Sequence, residues 1–356
     1  MSGDQTAVNI VIPNWNGLRF LSNCLSSIEQ QQFDSWQITV VDNGSSDGSV
    51  EYLRKAYPQV HVIVLPENRG FSAAVNAGIL SSNVPYVFLL NNDTELPPDC
   101  LHLLLNAAEE LPEYEFFAPK MLSFHNRTVL DGAGDGYLRG GAGYRIGTME
   151  KDSEIYNHPR QVFGTCAGAV LYRRGLFDRI GLFDEDFFAY LEDVDLNLRL
   201  NRARYKGYYV PAAKVYHIGS ASSGSKFNPF TIRLSTRNSF YVLIKHYSFP
   251  LFLRFLPVIA IYQFCWFLFT IKKRHFWAYC QGLGEALRGF SRMRNKRQEI
   301  ARYDRLNTAE FATVLRQAET AVVESIMRRR HEQGKGNRLL QIYQDVFLRK
   351  FSIKHE

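Results

Sequence analysis

Paired cysteines are missing from this sequence. Its five cysteines lie far apart in 356 residues and form no CxxC pair. This odd and scattered set argues against a disulfide framework and against a zinc site, and it suits a reducing compartment. The first seven residues contain neither a basic segment nor an apolar run. We therefore expect no secretory signal and a main folded part that faces the cytosol.

The first strand-to-helix turn lacks the glycine loops that bind nucleotides in two large enzyme classes. Residues 8–12 predict a strand, and the turn after them reads PNWNG. The sequence has neither a GxGxxG turn for a dinucleotide nor a GxxxxGK[ST] loop for a nucleoside triphosphate. The charge of any bound diphosphate must therefore be neutralised in another way, and a metal ion held by carboxylates is the obvious one.

Strand and helix patterns alternate four times near the start of the chain. Apolar runs at residues 8–12, 37–41, 60–65 and 86–90 predict strands, and each is connected to the next by a helical or turn pattern. The alternation predicts an α/β fold with a mostly parallel sheet. Two of these strands end in a carboxylate, Asp42 and Asp93. Ligands bind at this edge of such sheets, although helix capping is the alternative role for both residues.

Seven segments carry a family resemblance. In chain order they read VIPNWNG, VVDNGSSDGS, NRGFSAAVNAG, LLNNDTEL, GTCAGAVLYRR, FDEDFFAYLEDVDLNLR and YHIGSASSGS. Together they resemble the family 2 inverting glycosyltransferases over roughly residues 8–240. The resemblance implies the GT-A fold, a Rossmann-like and mostly parallel sheet flanked by helices, with a metal-binding DxD-type motif. The pattern is most similar to the bacterial rhamnosyltransferase-like branch, which suggests dTDP-rhamnose as the donor.

The resemblance also assigns a nucleotide-sugar site. Asp42 corresponds to the residue that binds a pyrimidine base, and Asp93 to the DxD position that binds the metal directly. The first DxD position is Asn91 instead of Asp, so we expect Mg²⁺ or Mn²⁺ with modest affinity. Arg237 can face the diphosphate or lie on a solvated helix face, and His217 can complete the metal site or be an ordinary loop residue. The predicted nucleotide-sugar residues are Pro13, Asn14, Asn16, Asp42, Asn68, Gly70, Phe71, Asn91, Asn92 and Arg237, and the predicted metal ligands are Asp93 and His217.

A second chemical centre is predicted at the start of a helix near residue 192. Leu191, Val194 and Leu198 have helical spacing and should face the core, whereas Glu192 and Asp193 lie in the first turn. An inverting transfer needs a base that takes the proton of the acceptor hydroxyl. The resemblance makes Asp193 the predicted catalytic base and Glu192 the alternative. An ordinary acidic first turn is the other interpretation of the pair.

Two stretches between these centres are predicted from their composition. The glycine-rich residues 131–147 predict a loop that is either mobile and close to the cleft or an ordinary surface loop. Residues 162–172 are small and apolar, and they predict a strand under the donor sugar. Cys166 within this stretch is predicted to be packed and not to act as a nucleophile.

Beyond residue 248 the composition becomes apolar and basic. Residues 249–271 are almost wholly apolar, but Arg254 and Pro257 interrupt them and leave a run shorter than the ~20 residues of a membrane span. The basic and aromatic residues 272–277 follow. We predict an in-plane or re-entrant membrane anchor, with a true span or a buried core helix as alternatives. The chain's net charge of +7 comes from this part, because the part before it is mildly acidic.

These patterns predict three segments and one function. Residues 1–245 are the predicted catalytic domain, with the nucleotide sugar at about 1–120 and the acceptor at 121–245. Residues 246–295 are predicted membrane-associating helices, and residues 296–356 a basic helical tail. The expected partners are a dTDP- or UDP-sugar, a lipid-linked or polysaccharide acceptor and the cytoplasmic face of the inner membrane, with no nucleic acid. Two alternatives remain open, a nucleotidyltransferase of sugar activation and a non-catalytic membrane scaffold.

Overall fold

The first half of the chain alternates strands and helices. The computed structural model describes residues 7–219 and 227–348, so part of the YHIGSASSGS segment and the two chain ends lie outside the described residues. The elements up to residue 123 are β1 (Val8–Asn14), α1 (Leu18–Glu29), β2 (Trp36–Asn43), α2 (Ser49–Ala56), β3 (His61–Leu65), α3 (Gly70–Leu80), β4 (Tyr86–Leu90), β5 (Thr94–Glu95), α4 (Cys100–Glu110) and β6 (Tyr114–Ser123). The observed ends of β1 to β4 differ from the predicted ones by two residues at most.

The second half adds short strands and then helices. Its strands are β7 (Leu130–Gly132), β8 (Asp135–Leu138), β9 (Ala142–Arg145), β10 (Arg160–Val162), β11 (Ala169–Arg173) and β12 (Lys206–His217). Its helices are α5 (Gly175–Ile180), α6 (Glu192–Arg202), α7 (Pro229–His246), α8 (Phe249–Lys272), α9 (Phe276–Arg288), α10 (Phe290–Ile300), α11 (Thr308–Glu332) and α12 (Arg338–Phe347). Short 3₁₀ turns lie at Glu154–Tyr156 and Glu185–Phe187.

One central sheet organises these elements. Its main strand order is β10-β12-β6-β11-β4-β1-β2-β3, with β5 beside β12 and β7 beside β6, while β8 and β9 form a separate hairpin. Strand β1 is parallel to β2 and β4, and β11 is antiparallel to both β4 and β6. The predicted α/β class is therefore confirmed, and the ends of β2 and β4 lie at one edge of the sheet.

Strand β1 is buried because both of its faces are apolar. Ile10 and Ile12 pack in a core with α1 and α4, whereas Val11 packs in a second core with α3. A Cβ on Gly78 would lie 2.2 Å from a methyl carbon of Val11. Glycine at this position allows α3 to approach the sheet closely, which fixes the start of α3 above the carboxyl ends of the strands.

The prediction of one strand over residues 162–172 is wrong. Strand β10 ends at Val162 and β11 begins at Ala169, so a loop separates them. Within this loop, the backbone of Thr165 is hydrogen-bonded to the side chain of Asn197 and not to a neighbouring strand. It accepts from the Thr165 backbone N–H at 3.3 Å and donates to the Thr165 carbonyl at 3.0 Å.

The prediction of a loop over residues 131–147 is also wrong. This segment contains the β8–β9 hairpin, whose Tyr137 is completely buried. Its glycines serve close packing between elements: a Cβ on Gly136 would lie 2.5 Å from Val322 of α11, and one on Gly143 would lie 2.5 Å from Val194 of α6. The absence of side chains at these positions lets two helices reach the hairpin.

The C-terminal helices share a core with the hairpin and with α6. Residues on both sides of position 245, among them Tyr137, Val242, Phe255 and Leu315, form one apolar cluster. Helix α8 is 24 residues long and contains Pro257, so the proline does not end the helix. By length and composition α8 can cross a membrane, which alone is weak evidence. The three-segment division of the chain stays a prediction.

Candidate active site

The end of β2 is tied to the turn after β1 by a chain of buried side chains. Asn14 donates to Asp42 at 3.0 Å, and Asn92 donates to the side-chain oxygen of Asn14 at 2.7 Å. Asp42 also accepts from the Ser45 backbone N–H at 2.9 Å, and it is fully buried. Pro13 is the residue before Asn14 in β1. The structure thus places four of the predicted nucleotide-sugar residues side by side.

Asn16 lies on the outer side of the same turn. Its backbone has a φ of +48°, and its side-chain oxygen accepts from the Ser46 backbone N–H at 2.8 Å. Its own backbone N–H donates to the Ser45 hydroxyl at 2.9 Å. These bonds fix the loop after β2 against the loop after β1.

The loop before α3 is held by Asn43 and Asn68. Asn43 donates to the side-chain oxygen of Asn68 at 3.1 Å and to the Gly70 carbonyl at 3.0 Å. Gly70 has a φ of +88°, and a Cβ there would lie 2.4 Å from the Phe188 carbonyl oxygen. Phe71 is half-buried against the apolar cluster beneath α3. Only glycine fits this contact, which brings the predicted sugar-binding loop to the segment before α6.

Asn91 follows β4 and touches the loop before β11. Its backbone N–H donates to the Gly168 carbonyl at 2.8 Å, and a Cβ on Gly168 would lie 3.0 Å from its side-chain nitrogen. Asn92 points instead toward Asn14, as described above. Within the predicted DxD-type segment, Asn91 therefore contacts the loop that carries Cys166, whereas Asn92 contacts Asn14 in the turn after β1.

His217 lies between two carboxylates. Its Nε2 is 3.3 Å from Asp93, and its Nδ1 is 2.7 Å from Asp131. Burial lowers the pKa of His217, but its bonds to Asp131 and Asp93 outweigh burial and raise it to about 9. Burial likewise raises the pKa of Asp93, yet His217 and the Gly219 backbone N–H hold it below its ordinary value. Without a metal, His217, Asp93 and Asp131 form a charged, hydrogen-bonded cluster.

The spacing of Asp93 and His217 fits a divalent cation. Two atoms that bind one cation at about 2.1 Å in neighbouring octahedral positions lie roughly 3 Å apart, close to the observed 3.3 Å. Asp131 would then hold the Nδ1 proton and leave Nε2 free for the metal. Over the described residues, no group of three or more His, Cys, Asp or Glu side chains is arranged to hold a metal. Two protein ligands suit a cation that completes its shell with phosphate oxygens and water.

Glu192 and Asp193 begin α6 but have different surroundings. Glu192 is buried, and one of its carboxylate oxygens has no hydrogen-bond partner. Burial, and then the neighbouring Asp193, raise the pKa of Glu192 well above its ordinary value. Asp193 is partly exposed and accepts from the Val194 backbone N–H at 2.8 Å. Burial also raises the pKa of Asp193, but Arg145 opposes this rise.

The backbone before α6 is strained. Phe188, Tyr190 and Leu191 all have φ values between +64° and +69°, which non-glycine residues rarely adopt. Asn238 of α7 donates to the carbonyls of Phe187, Ala189 and Tyr190, at 2.7 to 3.0 Å. Such strain persists where the surroundings impose it, and it is concentrated at functional sites. The strained turn leads into the first turn of α6, where a Cβ on Gly143 of the hairpin would lie 2.5 Å from Val194.

Arg237 contacts this same strained turn. Its guanidinium donates to the Phe187 carbonyl at 2.7 Å and lies 3.5 Å from Glu285. These contacts fix the segment before α6. The predicted contact between Arg237 and a diphosphate stays a prediction.

The glycine-rich segment 131–147 contributes three site residues that the sequence prediction missed: Asp131, Asp135 and Arg145. Arg145 pairs with Asp131 and donates to the Cys166 sulfur at 2.9 Å. Asp135 is buried, with one carboxylate oxygen unpartnered, and burial together with Asp193 raises its pKa to about 8. The signal that could have revealed the hairpin is the RGG turn between YL and AGYR.

Comparisons with known proteins agree with this geometry. Residues 9–181 match the model of the family described as Glycosyl transferase family 2. The N-acetylglucosaminyl-diphospho-decaprenol L-rhamnosyltransferase of Mycobacterium tuberculosis is 29% identical over 209 residues, which are 52% of this chain and 68% of that protein. The uncharacterized glycosyltransferase YwdF of Bacillus subtilis is 27% identical over 242 residues, 65% of this chain and 84% of that protein.

A solved structure gives the fold. The crystal structure of GalNAc-T7 with UDP, GalNAc and Mn²⁺ matches 68% of this chain with a TM-score of 0.54 and 15% sequence identity. The match covers 51% of that chain, so this protein spans about half of it. The sheet and its acidic strand ends thus define a GT-A-like enzyme fold. Residues 9–181 match the family 2 glycosyltransferase domain, and both curated relatives are named glycosyltransferases.

Proposed function

We propose that this protein is an inverting, metal-assisted glycosyltransferase that acts on a hydroxyl of a lipid-linked glycan or cell-surface polysaccharide. The observation that carries the proposal is that one glycine-rich segment, residues 131–147, reaches both acidic centres. Asp131 contacts His217 beside Asp93, and a Cβ on Gly143 would lie 2.5 Å from Val194, the residue after Asp193. The proposed donor is dTDP-rhamnose, supported by the rhamnosyltransferase relative.

The donor side would bind the nucleotide at the ends of β2 and β4. Asp42 would accept a hydrogen bond from the base, and the loop at Gly70 would approach the sugar closely. Asp93 and His217 would hold Mg²⁺ or Mn²⁺, which neutralises the charge of the diphosphate as it departs. The GalNAc-T7 structure was solved with Mn²⁺, which supports a divalent metal.

The acceptor side would supply the base. Asp193 would take the proton of the acceptor hydroxyl while the oxygen of that hydroxyl bonds to the anomeric carbon. The bond between that carbon and the diphosphate breaks on the opposite face, so the configuration inverts. Asp193 suits this role better than Glu192, because Asp193 is partly exposed, whereas Glu192 is buried and its pKa is raised well above the ordinary value.

We further propose that α8 lies in the plane of a membrane surface. One face of α8 is attached to the protein along its length, since Gln263 donates to the Gly140 carbonyl and Trp266 donates to the Thr236 hydroxyl, both at 2.9 Å. The opposite face exposes an apolar row that comprises Leu253, Leu256, Ile261, Phe264, Leu268 and Ile271. A helix held along one side cannot leave the protein to cross a bilayer, so an in-plane position fits better. The basic residues 272–274 would meet anionic headgroups.

Calorimetry with dTDP, UDP and GDP tests the donor site. We expect one pyrimidine nucleotide to bind in the presence of Mn²⁺ and to bind more weakly without it. Asp93→Ala should abolish the metal-dependent part of the affinity, whereas Asp99→Ala, an acidic residue away from the site, should not. Binding of none of these nucleotides by the wild-type protein would contradict the proposed donor. A transfer assay with dTDP-rhamnose and a polyprenyl-diphosphate glycan then tests the acceptor class.

A further inference from the structure

A cavity of about 310 Å³ opens beside the start of α8. It lies among the end of α6, the turn between α7 and α8, and the segment that runs from the end of α10 to the start of α11. We call it the α8 cavity. Its volume is at the small end of the range for ligand pockets, roughly 300 to 1,000 Å³. None of the predicted donor, metal or catalytic residues lines it, so the α8 cavity is distinct from the candidate active site.

Two polar atoms in residues that line the α8 cavity have no hydrogen-bond partner. Arg202 is the last residue of α6 and is only 9% exposed. Its two Nη atoms contact Asp304 and the His246 carbonyl, but its buried Nε has no partner among the described residues. The same holds for the buried Oγ of Ser248. Unpartnered buried polar atoms are uncommon in folded proteins, and a ligand that occupies the cavity is one explanation for them.

Ser248 precedes α8 but does not cap it. A serine at this position usually accepts a hydrogen bond from a backbone N–H of the first helical turn, whereas the Ser248 side chain makes no such bond. Its hydroxyl can therefore donate to a ligand. The N–H groups of the first turn carry the partial positive charge of the helix dipole, and α8 is 24 residues long. The start of α8 thus favours a negatively charged ligand.

The charged side chains of the lining leave one cation without a carboxylate partner. Arg202 and Lys245 each pair with carboxylates. Arg297 of α10 is half-buried and donates to the Ile244 carbonyl at 2.9 Å, but in residues 7–219 and 227–348 it pairs with no carboxylate. Three cations and a single carboxylate, Asp304, line the cavity. The lining is therefore positively charged.

A phosphate group has the chemistry that these features require. It carries negative charge, and its oxygens accept several hydrogen bonds at once. Arginine is well suited to bind it, because the guanidinium presents two parallel donors. Leu251, Leu306 and Phe311 add apolar surface to the lining, where an organic substituent on the phosphate could pack.

We propose that the α8 cavity binds a phosphate group through Arg297, the Ser248 hydroxyl and the first turn of α8. The phosphate belongs either to a phospholipid headgroup or to a free phosphate compound. A headgroup would reach the cavity from the membrane side, since Phe249 beside Ser248 is 70% exposed on the helix that we place in the membrane plane. The cavity itself is independent of the proposed glycosyl transfer.

The test is calorimetric binding by the full-length, metal-free protein of two probes. Inorganic phosphate represents a free phosphate compound, and dihexanoyl phosphatidylglycerol below its micelle concentration represents a headgroup. We expect the wild type to bind at least one of them. Arg297→Gln should weaken this binding roughly tenfold or more, because a hydrogen bond to a charged group is lost. Arg297→Lys retains the charge and should keep most of the affinity.

Arg294→Gln is the matched control. Arg294 is also a cation of α10, but it is exposed and does not line the cavity, so its removal should leave binding unchanged. Ser248→Ala is an independent second variant. Because the Ser248 side chain does not cap α8, we expect the unliganded variant to melt like the wild type and to bind phosphate more weakly. If Arg297→Gln does not fold, Ser248→Ala against the wild type provides the test.

The outcomes separate the source of the phosphate and the two proposals. Tighter binding of the phospholipid would identify a headgroup, and equal or tighter binding of inorganic phosphate would identify a free phosphate compound. Absence of binding by the wild type, or binding that both Arg297→Gln and Ser248→Ala leave unchanged, would overturn the inference. Binding of dTDP with Mn²⁺ should be the same in Arg297→Gln as in the wild type. Its loss would place Arg297 in the donor site and would also overturn the inference, whereas absence of dTDP binding by the wild type contradicts the proposed function alone.

Discussion

At the scale of single residues, the two carboxyls that begin α6 differ in what surrounds them. Glu192 is buried with an unpartnered oxygen, whereas Asp193 is partly exposed and accepts from the Val194 backbone N–H at 2.8 Å. The next acidic residue, Asp195, is fully buried and bonded to Arg199, Lys245 and His246, at 2.7 to 2.9 Å. Three neighbouring acids therefore have distinct environments, and of the three Asp193 is the one that is partly exposed.

Asp193→Asn should abolish transfer while leaving nucleotide binding intact. An amide cannot take the acceptor's proton, and a general base contributes roughly 10²- to 10⁴-fold to the rate. The measurement is kcat in a transfer assay, together with dTDP binding by calorimetry. Glu192→Gln is the comparison variant and should keep most of its activity. The opposite pattern, with activity lost only in Glu192→Gln, would assign the base to Glu192.

At the scale of elements, glycine decides how closely the hairpin meets its neighbours. The β8–β9 hairpin contacts α6 through Gly143, α11 through Gly136 and α8 through Gly140. Each glycine leaves room for a side chain of the opposing helix. The hairpin can therefore bring Asp135 and Arg145 into the site while it supports three helices.

Gly136→Ala should destabilise the protein by about 1 to 3 kcal/mol through overpacking. The added Cβ would lie 2.5 Å from Val322 and 3.3 Å from the Ala318 carbonyl, so α11 would have to shift. Chemical denaturation measures the free energy of unfolding. Gly175→Ala is the matched control, because a Cβ there meets nothing within 4 Å. Equal stability of the two variants would show that α11 does not pack on the hairpin this closely.

Phe264→Glu should abolish binding of the protein to anionic vesicles without changing its melting temperature. Phe264 is 60% exposed on the outer face of α8, where a charge disfavours insertion among acyl chains. Co-sedimentation with phosphatidylglycerol-containing vesicles measures binding. Leu80→Glu, at a 59% exposed residue of α3, is the control and should bind like the wild type. Vesicle binding that survives Phe264→Glu would contradict an in-plane α8.

At the scale of the whole molecule, the helices after residue 245 are joined to the catalytic part by buried charge as well as by apolar packing. Arg139 of the hairpin turn pairs with Glu319 of α11, and both side chains are almost completely buried. Lys245 lies between Asp184 and Asp195, at 2.7 Å from each. Breaking such a buried pair leaves an uncompensated charge, which costs several kcal/mol. These pairs fix the orientation of the helices relative to the site.

Two buried histidines contribute opposite pH dependences to the stability of the metal-free protein. Burial lowers the pKa of His246 from 6.5 to about 4, so the unfolded state binds the extra proton first and stability falls as the pH drops through this window. The bonds of His217 raise its pKa to about 9 despite burial, so its contribution is lost as the pH rises from 6.5 through 9. Denaturation at several pH values measures both slopes.

Variants separate the two slopes. His246→Gln should flatten the acid side of the stability curve, and His217→Gln the alkaline side. A curve that both substitutions leave unchanged would contradict these assignments.

The sequence by itself determined the first ninety or so residues of the fold and the candidate donor site. Alternating β-branched and helical patterns are local, so they located β1 to β4 closely, and the acidic strand ends Asp42 and Asp93 follow from topology. The resemblance of the motifs also indicated the family, which the family match confirms.

Only the tertiary structure decided where the glycine-rich hairpin and the C-terminal helices belong. Arg145 reaches Asp131 and the surroundings of Asp193, and Arg139 reaches Glu319, through contacts between segments far apart in the chain. Glycine-rich composition predicts a loop when burial is unknown, and proline disfavours the interior of a helix. Packing against distant elements overrode both local preferences, because burial of the hairpin and of one face of α8 outweighs the local cost of Gly and Pro257.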